Sequence, residues 1–431
     1  MQIHIIRTKG LLALCLILLS ACSLLNPLEK DTKEWLDWDG RGGWGESSGG
    51  GELFAMEDSS LALAAPADAP AKDEAGSHVT GDIAYQSAAL RAGSVDDNAQ
   101  WDDYLLYRLQ FQEWGIPVHE LDVSGRHTII VVNQSARPVL GAVVKVFDPS
   151  GEQLFMATTG ADGTIYYFPH QSSNPEAETL QIVAAKDGEE SSVTTSAKEF
   201  DHQLVLDVPS SSDPIHLDIH FLIDATGSMS DEIQQLKDNM IRVAERIASM
   251  QANPDVRYGM TIYRDRGDLF ISRSFDFTPD VSSFTEALRE VQAEGGGDYP
   301  ESLNEGLHQA IHLPEWRGEE TVSLLFLIAD APPHLDYAQD YDYAVDVFSA
   351  LEDGIKIFPL ASSGLDDQGE YIFRQLAQIT GGKFLFLTYG PGGAPGDDTS
   401  HHVDDYSVLS LDDLVVRLVE EQLAFLDNPM Q

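Results

Sequence analysis

Beyond residue 214 the chain carries short apolar runs spaced by amphipathic stretches. The runs at 217–223, 257–263, 322–328, 355–360 and 383–387 are rich in apolar residues at both odd and even positions, as strands buried on both faces are. Between the first two, at 232–250, and at the end, at 412–425, apolar residues recur at three- and four-residue spacing, which predicts helices. Strands joined by helical crossovers predict an α/β fold with a doubly wound, mostly parallel sheet over residues 214–429. Residues 116–209 are patterned differently. The β-rich runs at 126–133, 142–148, 163–168, 180–185 and 203–208 are separated by turn clusters such as Asp148-Pro149-Ser150-Gly151 and Gly160-Ala161-Asp162-Gly163. Five or more short strands in this space predict a β-sandwich. Residues 81–115 read as a short helical transition, with a helix over 102–111. Just before it, Leu90 to Asn98 ends in two carboxylates and an amide without the order of a calcium loop, and is expected to be a solvated acidic loop.

The first 80 residues hold no such periodicity. Arg7 and Lys9 precede an apolar run, 11–19, too short for a stable span, so residues 1–21 are expected to be a signal peptide. The run ends in Leu19-Ser20-Ala21-Cys22, which resembles the lipobox of bacterial lipoproteins. That resemblance implies cleavage before Cys22, a diacylglycerol anchor on its sulfur, and a place in the bacterial cell envelope. Ser23 resembles the outer-membrane sorting pattern. The other cysteine, Cys15, would leave with the signal, so the mature domains are expected to stand on packing without disulfides. Residues 22–80, rich in Gly, Ser, Ala, Pro and acids, are expected to form a disordered tether. Trp35, Trp38 and Trp44 within it are either a short partner-binding segment or incidental.

Charge narrows the partners. With 26 Lys+Arg against 71 Asp+Glu the formal net charge is −45. No basic stripe is available for phosphates, so nucleic acid is excluded as a general partner. The same charge disfavours docking to anionic lipid headgroups and favours cations.

In doubly wound sheets ligands bind past the carboxyl ends of the strands. Three loops stand there. Asp224-Ala225-Thr226-Gly227-Ser228 follows the first strand and places three oxygen-bearing side chains in alternation. Gly295-Gly296-Gly297-Asp298-Tyr299-Pro300-Glu301 opens a helix from about Ser302. Asp330 ends the strand before Ala331-Pro332-Pro333-His334. The three together resemble a von Willebrand factor A domain, a Rossmann-like fold, with a metal-ion-dependent adhesion site. Asp224-Ala225-Thr226-Gly227-Ser228 departs from the family's Asp-x-Ser-x-Ser by one hydroxyl-conserving exchange. Asp298-Tyr299-Pro300-Glu301 resembles the Asp-x-Pro-Glu loop of integrin β subunits.

The resemblance implies a metal held by Asp224, Thr226, Ser228, Asp330 and the second loop. There Glu301 is preferred as ligand and Asp298 is expected either to join it or to cap the following helix. Such a donor set suits Mg²⁺, with Ca²⁺ or Mn²⁺ as competitors, and two neutral hydroxyls leave the ion short of negative charge. The implied function is non-enzymatic: binding a protein that offers an exposed Glu or Asp. The stretch 132–142 with the Asp162-Gly163 turn resembles transthyretin-like or carboxypeptidase-regulatory-like modules, which implies a spacer or binding module.

Other readings compete. The first loop also resembles the phosphorylation motif of haloacid-dehalogenase-type phosphotransferases. That chemistry needs a lysine at the phosphoryl group, and Lys356 lies inside a strand-like run. An envelope scaffold with a structural metal is the third reading. Arg266-Gly267-Asp268 is expected to be a structural loop, His334 a packed or hydrogen-bonded residue, and His401-His402 part of a solvated loop. Asp336, Asp340, Asp342 and Asp346 are expected to lie on or before a helix beside the third loop.

Overall fold

The computed structural model describes residues 90–209, 214–250, 253–318, 320–389 and 399–429. The expected signal peptide, the expected lipidation site at Cys22, the expected tether over 22–80 and most of the Gly/Pro-rich stretch 389–396 lie outside the described residues. Among the described residues no helix is long and apolar enough to cross a membrane.

The chain enters as strand β1 (Arg91–Val95) and helix α1 (Trp101–Trp114). The expected solvated loop is therefore a strand. Its two carboxylates are not both free. Asp97 is buried and takes Arg374 in a two-pronged ion pair, with Oδ1 2.6 Å from Nη2 and Oδ2 3.0 Å from Nε.

Seven strands follow: β2 (His127–Asn133), β3 (Val143–Phe147), β4 (Gln153–Thr158), β5 (Thr164–Tyr167), β6 (Thr179–Lys186), β7 (Glu189–Ser196) and β8 (Asp201–Leu206). They form a three-stranded sheet, β5-β2-β8, and a four-stranded sheet, β4-β3-β6-β7. The sandwich is not an isolated spacer. Its inward residues Ile129, Val131, Val144 and Ile182 share one core with Leu325, Ile357, Tyr343 and Phe373 of the α/β part. α1 is buried in the same core, where Phe111 stacks on Tyr371 at 3.9 Å. Lys356 donates to Asp162 at 2.7 Å, tying the two parts together.

The α/β part runs β9 (His216–Asp224), α2 (Ile233–Ala248), β10 (Asp255–Tyr263), β11 (Ser272–Thr278), α3 (Val281–Arg289), α4 (Leu303–His312), β12 (Thr321–Ala329), α5 (Tyr343–Glu352), β13 (Ile355–Ala361), α6 (Asp367–Thr380), β14 (Phe384–Leu387), β15 (Ser407–Ser410) and α7 (Leu411–Asp427). The sheet order is β11-β10-β9-β12-β13-β14-β1-β15. Strands β10, β9, β12, β13 and β14 are parallel, while β11 and β1 run antiparallel to their neighbours. The expected doubly wound, mostly parallel sheet is thus present, with antiparallel strands added at both sides.

Alternation along β9 divides the core. Leu217, Ile219, Phe221 and Ile223 face the layer of α2, α3 and α7, whereas Leu222 faces α4, α5 and α6. Both faces are covered, which is why the central strands read as apolar runs. β9, β10 and β12 end side by side at Asp224, Tyr263 and Ala329, and the loops that follow them carry the candidate site.

Candidate metal centre

Asp224 closes β9 and is fully buried. Its Oδ1 accepts from the Thr226 amide at 2.9 Å and from Thr226 Oγ1 at 2.6 Å. Its Oδ2 accepts from the Tyr263 hydroxyl at 3.0 Å. Thr226 Oγ1 lies 3.1 Å from Ser228 Oγ, and Ser228 donates to Asp330 Oδ1 at 3.0 Å. Asp224, Thr226, Ser228 and Asp330 therefore form one continuous chain of oxygens drawn from two loops. The first loop continues as a short 3-10 turn, 227–231, before α2 begins.

The second loop closes over the first. The Gly227 amide donates to the Gly295 carbonyl at 2.9 Å. Gly296 has φ +71°, and a Cβ there would stand 2.5 Å from Glu301 Oε1 and 3.1 Å from Thr226 Cβ. A side chain at that position would be strained and would displace Glu301, so glycine is required. The same contacts place the Glu301 carboxylate beside Thr226. Glu301 is 3% exposed and its Oε2 has no hydrogen-bond partner. Its backbone is fixed by the third loop: the Glu301 amide donates to Pro332 O and the His334 amide to Glu301 O, both at 3.1 Å.

Asp298 behaves differently. It is exposed, and its carboxylate gathers with Asp265 and His334, the three ligand atoms lying within 4.8 Å of one another. Nor does it cap α4, whose N-cap residue is Ser302, with no capping side-chain bond. Ser302 Oγ instead donates to Asp265 Oδ1 at 2.8 Å. The expectation that Asp298 caps the helix is thereby corrected, because α4 begins five residues after it, at Leu303. His334 is buried, bonds Asp336 at 2.7 Å and stacks on Tyr337.

Sequence reasoning missed Tyr263, Asp265 and Asp268 as supports of the site. Asp268 Oδ2 accepts from the Asp265 amide at 3.1 Å and the Gly296 amide at 2.9 Å, so Arg266-Gly267-Asp268 braces the second loop. Arg266 pairs with Asp340 at 2.8 Å. The run Tyr263-Arg264-Asp265 after β10 was the one signal that could have found these residues. His401 and His402 are corrected as well: both lie 3.2 Å from Glu370 Oε2, which pins them to α6 rather than leaving them in a solvated loop. Lys356 sits near the start of β13, and its ammonium is engaged by Asp162 rather than by any of the three loops.

The electrostatics fit a cation. Burial pushes the Asp224 carboxyl up to about 7, with repulsion from Asp330 adding and the Thr226 and Tyr263 hydrogen bonds opposing. Burial pushes Glu301 up to about 9, with Asp224, Asp265, Asp330 and Asp268 adding repulsion. Asp330 is raised by burial too. Crowded buried carboxyls with an orphaned oxygen are held apart from their charged forms for want of a positive neighbour. An all-oxygen set of carboxylates and hydroxyls is what Mg²⁺, Ca²⁺ and Mn²⁺ take. The residues present therefore fit a hard divalent ion.

An open α/β sheet whose carboxyl edge gathers hydroxyls and carboxylates from successive loops is the plan of a von Willebrand factor A domain. Residues 218–389 match the family model described as von Willebrand factor A domain, and the chain carries that domain there. The alpha-protein kinase vwkA of Dictyostelium discoideum is 29% identical over 160 residues, 36% of this chain and 25% of that protein. The von Willebrand factor A domain-containing protein 7 of Homo sapiens is 30% identical over 190 residues, 43% of this chain and 19% of that protein. The chain thus spans a quarter or less of the length of these relatives. Among solved structures, proximal thread matrix protein 1 from the mussel byssus, with a zinc-occupied MIDAS motif, is 16% identical with a TM-score of 0.34. That match covers 49% of this chain and 46% of that one.

Proposed function

We propose that this protein binds another protein through a divalent cation held by Asp224, Thr226, Ser228, Glu301 and Asp330. The observation that carries the reading is the buried, hydrogen-bonded run of Asp224, Thr226, Ser228 and Asp330, beside which Glu301 keeps an unpartnered oxygen. Mg²⁺ is the proposed ion, with Ca²⁺ and Mn²⁺ competing. Hydroxyl ligands leave such an ion electron-poor, so it takes one more anionic oxygen, supplied by an exposed Glu or Asp of the partner. A net charge of −45 repels acidic surfaces, so the partner is basic around that carboxylate. Asp298 belongs to a neighbouring cluster and is proposed to shape the rim of the site.

The N-terminal pattern around Cys22 supports a lipid-anchored protein of the bacterial envelope, sorted to the outer membrane and held off it by the 22–80 segment. Binding without chemistry is the reading preferred over phosphoryl transfer. A phosphotransferase needs a lysine at the aspartate, and Lys356 is engaged by Asp162 instead. A scaffolding role has one observation in its favour, the core shared between sandwich and α/β part.

Thermal unfolding of wild type and Asp224→Ala with rising Mg²⁺ tests the metal. Wild type is expected to gain stability and the variant not, and equal responses would overturn the site. Capture of partners with and without EDTA tests the role. Partners that survive chelation would point to scaffolding.

A further inference from the structure

We propose that His308, His312 and Asp346 form a second metal site, chemically distinct from the first, that takes Zn²⁺ or a similar borderline transition ion. The inference stands on its own residues and does not depend on the adhesion reading.

α4 places His308 and His312 four residues apart, one turn along the same face. α5 brings Asp346, in its first turn, against that face. Asp346 Oδ1 lies 3.0 Å from His308 Nδ1 and 3.2 Å from His312 Nε2, and the three ligand atoms fall within 4.8 Å of one another. A tetrahedral Zn²⁺ with nitrogen and oxygen ligands at about 2.0–2.1 Å has ligand–ligand edges near 3.3 Å. The two measured separations are already close to that length, so the triad needs little rearrangement to close on an ion.

A second observation points the same way. Asp346 is 4% exposed, and its Oδ2 has no partner. If the triad were only two imidazoles donating to a carboxylate, one buried carboxylate oxygen would still be left unserved, which proteins avoid. Both rings meet Oδ1, so an ion held through both carboxylate oxygens would give Oδ2 the partner it lacks.

The rings are held in place: Tyr341 stacks on His308 with centroids 3.5 Å apart and planes 8° apart. The His312 side chain is 38% exposed, so the ion's remaining position opens toward water or toward a partner's ligand. Three protein ligands with an open fourth position is the arrangement of reactive or partner-sharing zinc sites, whereas closed structural sites use four.

The donor chemistry separates the two centres. Imidazole nitrogens favour zinc and its neighbours, while the all-oxygen set around Asp224 favours Mg²⁺. α4 leaves the Glu301 loop and α5 follows the Asp330 loop, so an ion here clamps together the two helices that emerge from the candidate adhesion site.

The test titrates Zn²⁺ calorimetrically into the full chain held in excess Mg²⁺, and repeats it with Co²⁺ to read tetrahedral visible absorption. Wild type and Asp224→Ala are both expected to take up one Zn²⁺ equivalent with similar affinity. His312→Gln and Asp346→Asn, checked for folding by circular dichroism, are each expected to weaken it at least about tenfold. The half-exposed His312 makes its variant the safer one for folding. Zinc uptake that is unchanged in both variants, or absent from wild type, would overturn the site. Loss of Mg²⁺ response in Asp224→Ala with zinc binding intact would separate the two centres.

Discussion

Asp97→Ala is expected to cost the folded protein about 3 kcal/mol. Asp97 is 2% exposed and Arg374 4%, and the two meet through paired bonds of 2.6 and 3.0 Å. Removing the carboxylate leaves a guanidinium in the interior. Breaking one side of a buried ion pair typically costs about 3–5 kcal/mol. Arg374 keeps Glu370 at 3.3 Å, the His402 carbonyl at 2.9 Å and the face of Tyr107 at 3.8 Å, which places the cost at the lower end. For a compact unit of roughly 350 residues the unfolding entropy is about 0.7 kcal/mol/K, so the midpoint should fall by roughly 4 °C. Urea unfolding followed by fluorescence gives the free energy, and calorimetry gives the midpoint. Adding Arg374→Met to Asp97→Ala should recover part of the loss, because no charge is then stranded. A change within about 0.5 kcal/mol would show an ordinary surface pair, and the claim that β1 is built into the sheet would fail with it.

Thr226→Ser should keep the Mg²⁺ response and Thr226→Val should abolish it, because the hydroxyl and not the methyl joins Asp224 and Ser228; thermal shift against Mg²⁺ reads the difference. Asp162→Ala should destabilise more than Lys356→Met, by about 1–2 kcal/mol in urea unfolding, since it strands a buried ammonium whereas Met fills the same space. The share of stability carried by the buried neutral histidines should fall as pH drops below about 6.5, while the raised Asp224 and Glu301 carboxyls of the metal-free site shift stability the other way. Burial pushes His127 down to about 4, with neighbouring His202 adding, and His220 down to about 3, so the unfolded chain takes up protons there that the folded chain refuses. The contribution of these two histidines grows between the unfolded and folded values and amounts to several kcal/mol by about pH 4. Urea midpoints of wild type and His220→Phe at pH 7 and 4.5 check it: relative to the variant, the wild type is expected to lose stability between the two, and an unchanged difference would refute the assignment.

The elements that were legible in the sequence are those whose pattern is fixed by burial on both sides. β9, β12 and β13 are covered by helices above and below, so apolar residues face both layers and the strands read as apolar-rich runs. β1 was missed because Arg91-Ala92-Gly93-Ser94-Val95 has little intrinsic strand preference. Its place between β14 and β15 is set by partners about 290 to 320 residues away, and Asp97 is drawn inside by an arginine on α6. β7 was missed for a related reason: Glu189–Ser196 is polar and lies at the edge of its sheet, where only one neighbour demands a pattern.

The candidate site divides along the same line. Asp224, Thr226 and Ser228 lie within five residues, and the turn that joins them is local, so order and spacing carried the reading. The choice between Asp298 and Glu301 was not local. Both stand on one loop, and what separates them is the third loop, whose Pro332 carbonyl and His334 amide hold the backbone of Glu301 while Asp298 stays exposed. The Asp265–Asp298–His334 group and the His308–His312–Asp346 group each draw on separate segments, and only packing brings them together. In the second case the spacing of His308 and His312 was visible in the sequence, but it becomes a site only because α5 presents a buried carboxylate to it. A histidine pair one turn apart therefore carries metal chemistry here through its neighbour, and replacing Asp346 rather than either ring is the sharper probe of that dependence.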